Sequence, residues 1–295
     1  MGKSCVSEWK KSERWGICSK ILVMSGSSSP WQFGVSDFST SEPLQNGQLI
    51  RANGLDFIEP GLAKVAAMPE VEFLAAARGL REARVPVLSA NWFLPPTLKV
   101  VGREVDDETL RRFLELALGR ADHLGAKAVV FGSPGSRSIP VGWAELEARE
   151  QMIRFCRMAA EVIQDGGWDL RIAVEHVNHT ETNFLNTFGE ALAITREIDR
   201  PEIGLAADFY HFAMEGEATD VMREAADLIC AVQLADPRGR IFPKAGVEIP
   251  GVIPFFEQLA GIGYRGGISV EATVGASLAE DCAGAAAFFK EVAAG

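Results

Sequence analysis

Four residues in the second half of the chain have types and spacings that could do chemistry together. Glu175, Asp208, Gln233 and Glu271 each close a short apolar run, and the gaps between them are 33, 25 and 38 residues. In a parallel α/β protein each gap is one strand–helix step, so the four side chains would converge on one rim. Three carboxylates crowded into a low-dielectric cleft repel unless a cation neutralises them. Two Glu, one Asp and one Gln carbonyl offer oxygen alone. That suits a divalent ion, Mn2+ or Mg2+ first, with Co2+ or Zn2+ as alternatives. A single acid after a strand is ordinarily a helix N-cap, but three in the last four units are hard to explain that way.

The stretch around Glu175, RIAVEHVNHTETNFLNT, runs from a strand straight into polar side chains: His176, Asn178, His179, Glu181, Asn183 and Asn186. Three of the four histidines (His176, His179, His211) follow strands five and six. On the same rim fall Glu59, Asn91, Trp92, Ser133 and Arg137; Trp92 could stack on a flat ligand face or pack in the core, and Arg137 could receive a phosphate or carboxylate or stay solvated in its loop.

Strands and helices alternate in a way that would hold these residues there. Apolar runs at 15–19, 55–59, 85–89, 126–131, 171–175, 203–208, 229–234 and 267–271 read as strands. Helical spacing marks 71–83, 107–124, 144–164, 187–198, 219–226, 253–262 and 277–294. Eight such units in 295 residues predict a single (β/α)8 TIM barrel of class α/β. Residues 1–14 read as a tail and 15–295 as the barrel domain, with a loop-rich insertion around 21–54.

Net charge is −11, which argues against sequence-independent nucleic-acid binding. The five cysteines are scattered without a CxxC, as in a reduced cytoplasmic protein. No signal peptide and no membrane-spanning run is expected.

The segments EHVNHTETNFLNT and ADFYHFAMEGE resemble the xylose isomerase-like sugar isomerase/epimerase superfamily, especially its ketose 3-epimerase and hydroxypyruvate isomerase branch. The shared pattern is Glu175, Asn178, Glu181, Leu185, Asn186 and Thr187 after strand five, Asp208 and His211 after strand six, and Glu271 on strand eight. FLPPTLKVVGREVD and VFGSPGSR are similar to pieces of uncharacterised sugar-phosphate isomerase/epimerase-type proteins. The resemblance implies that Glu175, Asp208, Gln233 and Glu271 hold the metal and that Glu175 and Glu271 also transfer protons. It implies that Glu181 and His211 meet the substrate, together with an arginine after strand seven, Arg240 before Arg238; Asn178, and Glu59 from its place at the end of strand two, are further candidate substrate contacts. Gln233 stands where the usual ketose 3-epimerase pattern has His.

The expected function is thus a divalent-metal-dependent sugar isomerase/epimerase acting on a ketose or related keto-polyol. A proton next to a carbonyl would be removed through a metal-stabilised enediolate. The alternative is a metal-dependent lyase or dehydratase of a keto-acid, keto-inositol or keto-glycoside on the same barrel. A nuclease-type barrel needs more histidines and a basic face, and a non-catalytic barrel has no use for the Glu/Asp/Gln/Glu set. The expected partner is a small sugar or keto-acid, with no nucleic acid or membrane, and the fold suggests a homo-oligomer, dimer or tetramer.

Overall fold

The structure, a computed structural model, describes residues 29–37 and 44–294. Eight strands carry the sheet: β1 (Gln32–Asp37), β2 (Phe57–Pro60), β3 (Ser89–Ala90), β4 (Ala128–Phe131), β5 (Arg171–Glu175), β6 (Ile203–Asp208), β7 (Ile229–Leu234) and β8 (Gly267–Val270). They run parallel in the order β2-β1-β8-β7-β6-β5-β4-β3. The seam between β2 and β3 is bridged at Gly61 and Asn91, where the Asn91 N–H donates to the Pro60 carbonyl at 2.9 Å. The result is a nearly closed (β/α)8 TIM barrel with helices between the strands.

Two expected strands differ from those observed. The first strand was expected at 15–19, which lies outside the described residues. Gln32–Asp37, inside the expected insertion, pairs with β2 and β8. It reads poorly as a strand because Gly34 interrupts it, yet the gap has a use: a Cβ there would lie 2.6 Å from the Phe57 ring and the Phe57 carbonyl. The third strand begins later than 85. Pro86 has no N–H to give a ladder, so only its carbonyl takes part, accepting from Ile58 at 3.2 Å.

Helices lie where the apolar spacing puts them. Asp107–Leu124 starts at Asp106, whose side chain accepts from the N–H groups of Glu108 and Thr109, and stops at Gly125 with φ +92°. Phe188–Ile198 starts with a capping box between Thr187 and Glu190.

Strand parity positions the site. Side chains alternate across a strand, and Ala128, Val130, Ala173, Ala206 and Ala231 form a small cluster of their own, apart from the main core that faces the helices. Stepping two residues along each strand from Ala173, Ala206 and Ala231 reaches Glu175, Asp208 and Gln233. The small lumen residues therefore carry the polar set on the same inner face, at the C-terminal end.

Candidate active site at the barrel mouth

Glu175, Asp208, Gln233 and Glu271 are all buried, with Asp208 and Gln233 fully enclosed. Asp208 divides its two oxygens: Oδ1 caps the next helix by accepting from the Tyr210 N–H at 2.8 Å, and Oδ2 has no hydrogen-bond partner. Capping the helix thus uses only one of the two Asp208 oxygens. Glu271 is also divided, with Oε1 3.2 Å from Arg240 Nη2 and Oε2 without a partner. Glu175 Oε1 and Gln233 Oε1 are likewise buried and unpartnered. Each of the four residues therefore offers one orphaned oxygen, which is what an oxygen-liganded cation requires.

Electrostatics point the same way. Burial, then Glu271 and Asp208, hold the Glu175 carboxyl well above the usual carboxylate range. Burial, then Glu271, push Asp208 up to about 8. A divalent ion would remove both costs by favouring the ionised forms.

His211 sits with Glu175 and Asp208 in one buried group, with one N or O atom of each within 4.8 Å of the others. Its Nε2 is 3.6 Å from Glu175 Oε1 and from Asp208 Oδ2. Its Nδ1 receives the Asn178 backbone N–H at 3.2 Å and has Asn178 Nδ2 at 2.8 Å. Burial lowers its pKa well below the ordinary value, so the ring is neutral. Hydrogen-bond donors on Nδ1 assign the proton to Nε2. In that tautomer Nε2 is a donor facing the carboxylates, with no lone pair for a metal.

Arg240 is the site's exposed-side cation, held by loop geometry rather than by an element. Its backbone is left-handed (φ +51°), and its carbonyl accepts from the Thr273 N–H at 2.8 Å beyond β8. The guanidinium pairs with Glu181 (3.1 and 3.2 Å) and Glu271, and lies 4.6 Å above the Tyr210 ring. Burial opposes its charge, but Glu271, Asp208, Glu181 and Glu175 more than offset that and keep it cationic. Arg238 turns outward onto Asp236.

A cavity of about 140 Å3 opens above these groups. Its lining includes Glu175, Glu181, His211, Arg240 and Glu271 together with Asn91, Trp92, Leu94, Pro96 and Ser133. Trp92 has φ +46° and is half-exposed. Glu59 and Asn178 are fully buried and are not among the lining residues. Glu59 lies beneath, accepting from Gln233 Nε2 at 2.8 Å and from the Ser89 hydroxyl. Asn178 reaches Glu181 Oε1 (3.0 Å) as well as His211, so it brackets two lining side chains.

Arg137 is neither an anion receptor in the cavity nor a solvated loop residue. It is fully buried, and its Nη1 donates to the carbonyls of Phe131 (3.3 Å) and Glu175 (2.7 Å), the last residues of β4 and β5. Burial pulls it down to about 10, leaving it a cation at neutral pH. Sequence spacing gave no sign of this role. His176 packs edge-on against Phe212 at 4.6 Å, and burial lowers it to about 3. His179 lies on the surface against Glu215.

One glycine makes room for the site. A Cβ at Gly132 would sit 2.1 Å from Glu175 Oε2. It lies in the VFGSPGSR run, which gave no sign of this role.

A family profile described as xylose isomerase-like TIM barrel matches residues 48–292. An L-ribulose 3-epimerase from Methylomonas sp. (strain DH-1) is 31% identical over 169 residues, covering 56% of this chain and 55% of that protein. A putative hydroxypyruvate isomerase from Homo sapiens is 29% identical over 217 residues, covering 67% and 73%. The chain spans about half the length of the first of these. Among solved structures, a D-allulose 3-epimerase from Methylomonas sp. superposes with TM-score 0.75 at 20% identity, over 89% of this chain and 98% of that one.

Proposed function

Because this chain belongs to the xylose isomerase-like TIM barrel family, we propose that it is a divalent-metal-dependent sugar isomerase or epimerase acting on a ketose or related keto-polyol. The observation that carries the reading is the set of four orphaned buried oxygens, on Glu175, Asp208, Gln233 and Glu271. The epimerase and isomerase names of its relatives support the reaction class. The cavity also supports it, with room for roughly ten water-sized groups, the scale of one sugar.

When bound, a Mn2+ or Mg2+ ion held by those four residues would polarise the substrate carbonyl and offset the negative charge that develops on its oxygen. The remaining work falls to the side chains. One carboxylate, Glu175 or Glu271, takes the proton from the carbon next to the carbonyl as the C–H electron pair moves toward that oxygen. The other returns a proton to the opposite face for epimerisation. Arg240 pairs with Glu271 Oε1 and so orients that carboxylate toward the substrate. His211 donates from Nε2 to a substrate oxygen. Glu181, held by Arg240 and Asn178, accepts from a substrate hydroxyl.

The test is to load metal-free protein with Mn2+ and follow a panel of ketoses, keto-acids and their phosphates by NMR. An epimer or an aldose–ketose isomer is expected. Loss of water from the substrate would instead identify a lyase, and no conversion without any Mn2+ binding would refute the reading.

A further inference from the structure

Gln233 raises a question that the carboxylates do not. A carboxylate presents oxygen whichever way it turns, whereas a carboxamide presents oxygen one way and NH2 the other. Only the oxygen can ligate a cation. Something must therefore set the amide's direction, and strand β7 alone does not, because the flip is a side-chain rotation with the backbone unchanged.

The group that can set it is Glu59, on the other side of the lumen on β2. It is fully buried, and its Oε1 lies 2.8 Å from Gln233 Nε2. Its Oε2 contacts the Ser89 hydroxyl. With Ser89 on Oε2, Oε1 stays an acceptor whether the carboxyl is ionised or carries its proton on Oε2, so the partner at Oε1 must be a donor. Turning the Gln233 amide over would set oxygen against oxygen there and aim NH2 at a centre already served by Arg240 and His211. Gln233 Oε1, the other end of the amide, is buried and has no hydrogen-bond partner.

We propose that Glu59 is a positioning residue that locks the Gln233 carboxamide with its oxygen toward Glu175, Asp208 and Glu271, completing an all-oxygen cation site. This deepens the metal-dependent reading and rests on it. Glu59 then touches neither substrate nor ion; it acts through Gln233, in the manner of groups behind the ligands that orient them.

Calorimetric titration of metal-free protein with Mn2+ alone tests the assignment without reference to turnover. Glu59→Leu should weaken Mn2+ binding about 10–100-fold, and Glu59→Met, closer in volume, serves the same purpose if the leucine variant does not fold. Glu59→Gln keeps one carbonyl acceptor for Gln233 and an NH2 for Ser89, and should restore binding to within about threefold of the parent. Gln233→Leu should lose as much as Glu59→Leu, and the double variant should lose no more than either, because both remove one ligand. Glu59→Gln binding as poorly as Glu59→Leu would overturn the proposal, since charge and not orientation would then be Glu59's contribution. Gln233→Leu binding Mn2+ as tightly as the parent would also overturn it. That result, with Glu175→Leu still abolishing binding, would leave the metal-dependent reading standing. Absence of Mn2+ binding by the parent protein would defeat both.

Discussion

Gly132 and Glu175 show how close the tolerances at single residues are. Gly132 does not have a left-handed backbone, so alanine is conformationally allowed there; what it lacks is room, with Glu175 Oε2 2.1 Å from the new Cβ. Gly132→Ala should leave the melting temperature little changed while lowering kcat/KM by roughly 100-fold, the scale expected from an ångström of misplacement. Circular dichroism and kinetics on one preparation check the two halves. Glu271→Gln keeps the shape and the Arg240 contact but removes the proton acceptor, and should lower kcat by about 10²–10⁴-fold. Much of this layer was legible in the sequence, since Glu175, Asp208, Gln233 and Glu271 stand at or within one residue of the strand ends on one rim. Glu59 and Asn178 were legible as polar residues at the rim but not as inward brackets, because hydrogen bonding to Gln233 and His211 depends on contacts between distant strands.

At the level of elements, the ends of β4 and β5 are tied together by Arg137. Strand-end carbonyls that run out of ladder partners need donors, and the planar guanidinium reaches both Phe131 and Glu175. Both bonds leave from Nη1, one atom further along the side chain than a lysine ammonium reaches. With charged hydrogen bonds contributing about 1.5–3 kcal/mol each, Arg137→Lys should destabilise by about 3 kcal/mol, measured by urea unfolding with an unchanged m value. The first and third strands were the elements least legible in sequence. Gly34 and Pro86 break the apolar patterns of residues 32–37 and 85–89, and both breaks have physical uses: close approach to Phe57 and a carbonyl for Ile58. Helices with a cap at each end, such as Asp107–Leu124, were legible almost to the residue.

For the whole molecule, the crowded carboxylates couple metal, pH and stability. Asp208 rises from 3.8 to about 8 on folding, so the folded state binds its proton more tightly than the unfolded state does. Its contribution to stability is present below about pH 4 and is lost as the pH rises through about 8. Glu59, raised to about 7 chiefly by burial, acts in the same direction. The metal-free protein should therefore lose melting temperature relative to its Asp208→Asn variant between pH 5 and pH 8. Mn2+ at 100 times its dissociation constant should restore about 2.7 kcal/mol in the parent and little in the variant. Among the described residues no helix is long and apolar enough to cross a membrane. The central claim, proton transfer next to a carbonyl between two carboxylates, is tested most directly in D2O. With Mn2+ and a converted ketose, the parent protein should place deuterium on the carbon beside the carbonyl, and Glu271→Gln, folded and still binding Mn2+, should not. Undiminished deuterium incorporation by that variant, or conversion by the parent protein with no deuterium in the product at any stage, would contradict the account.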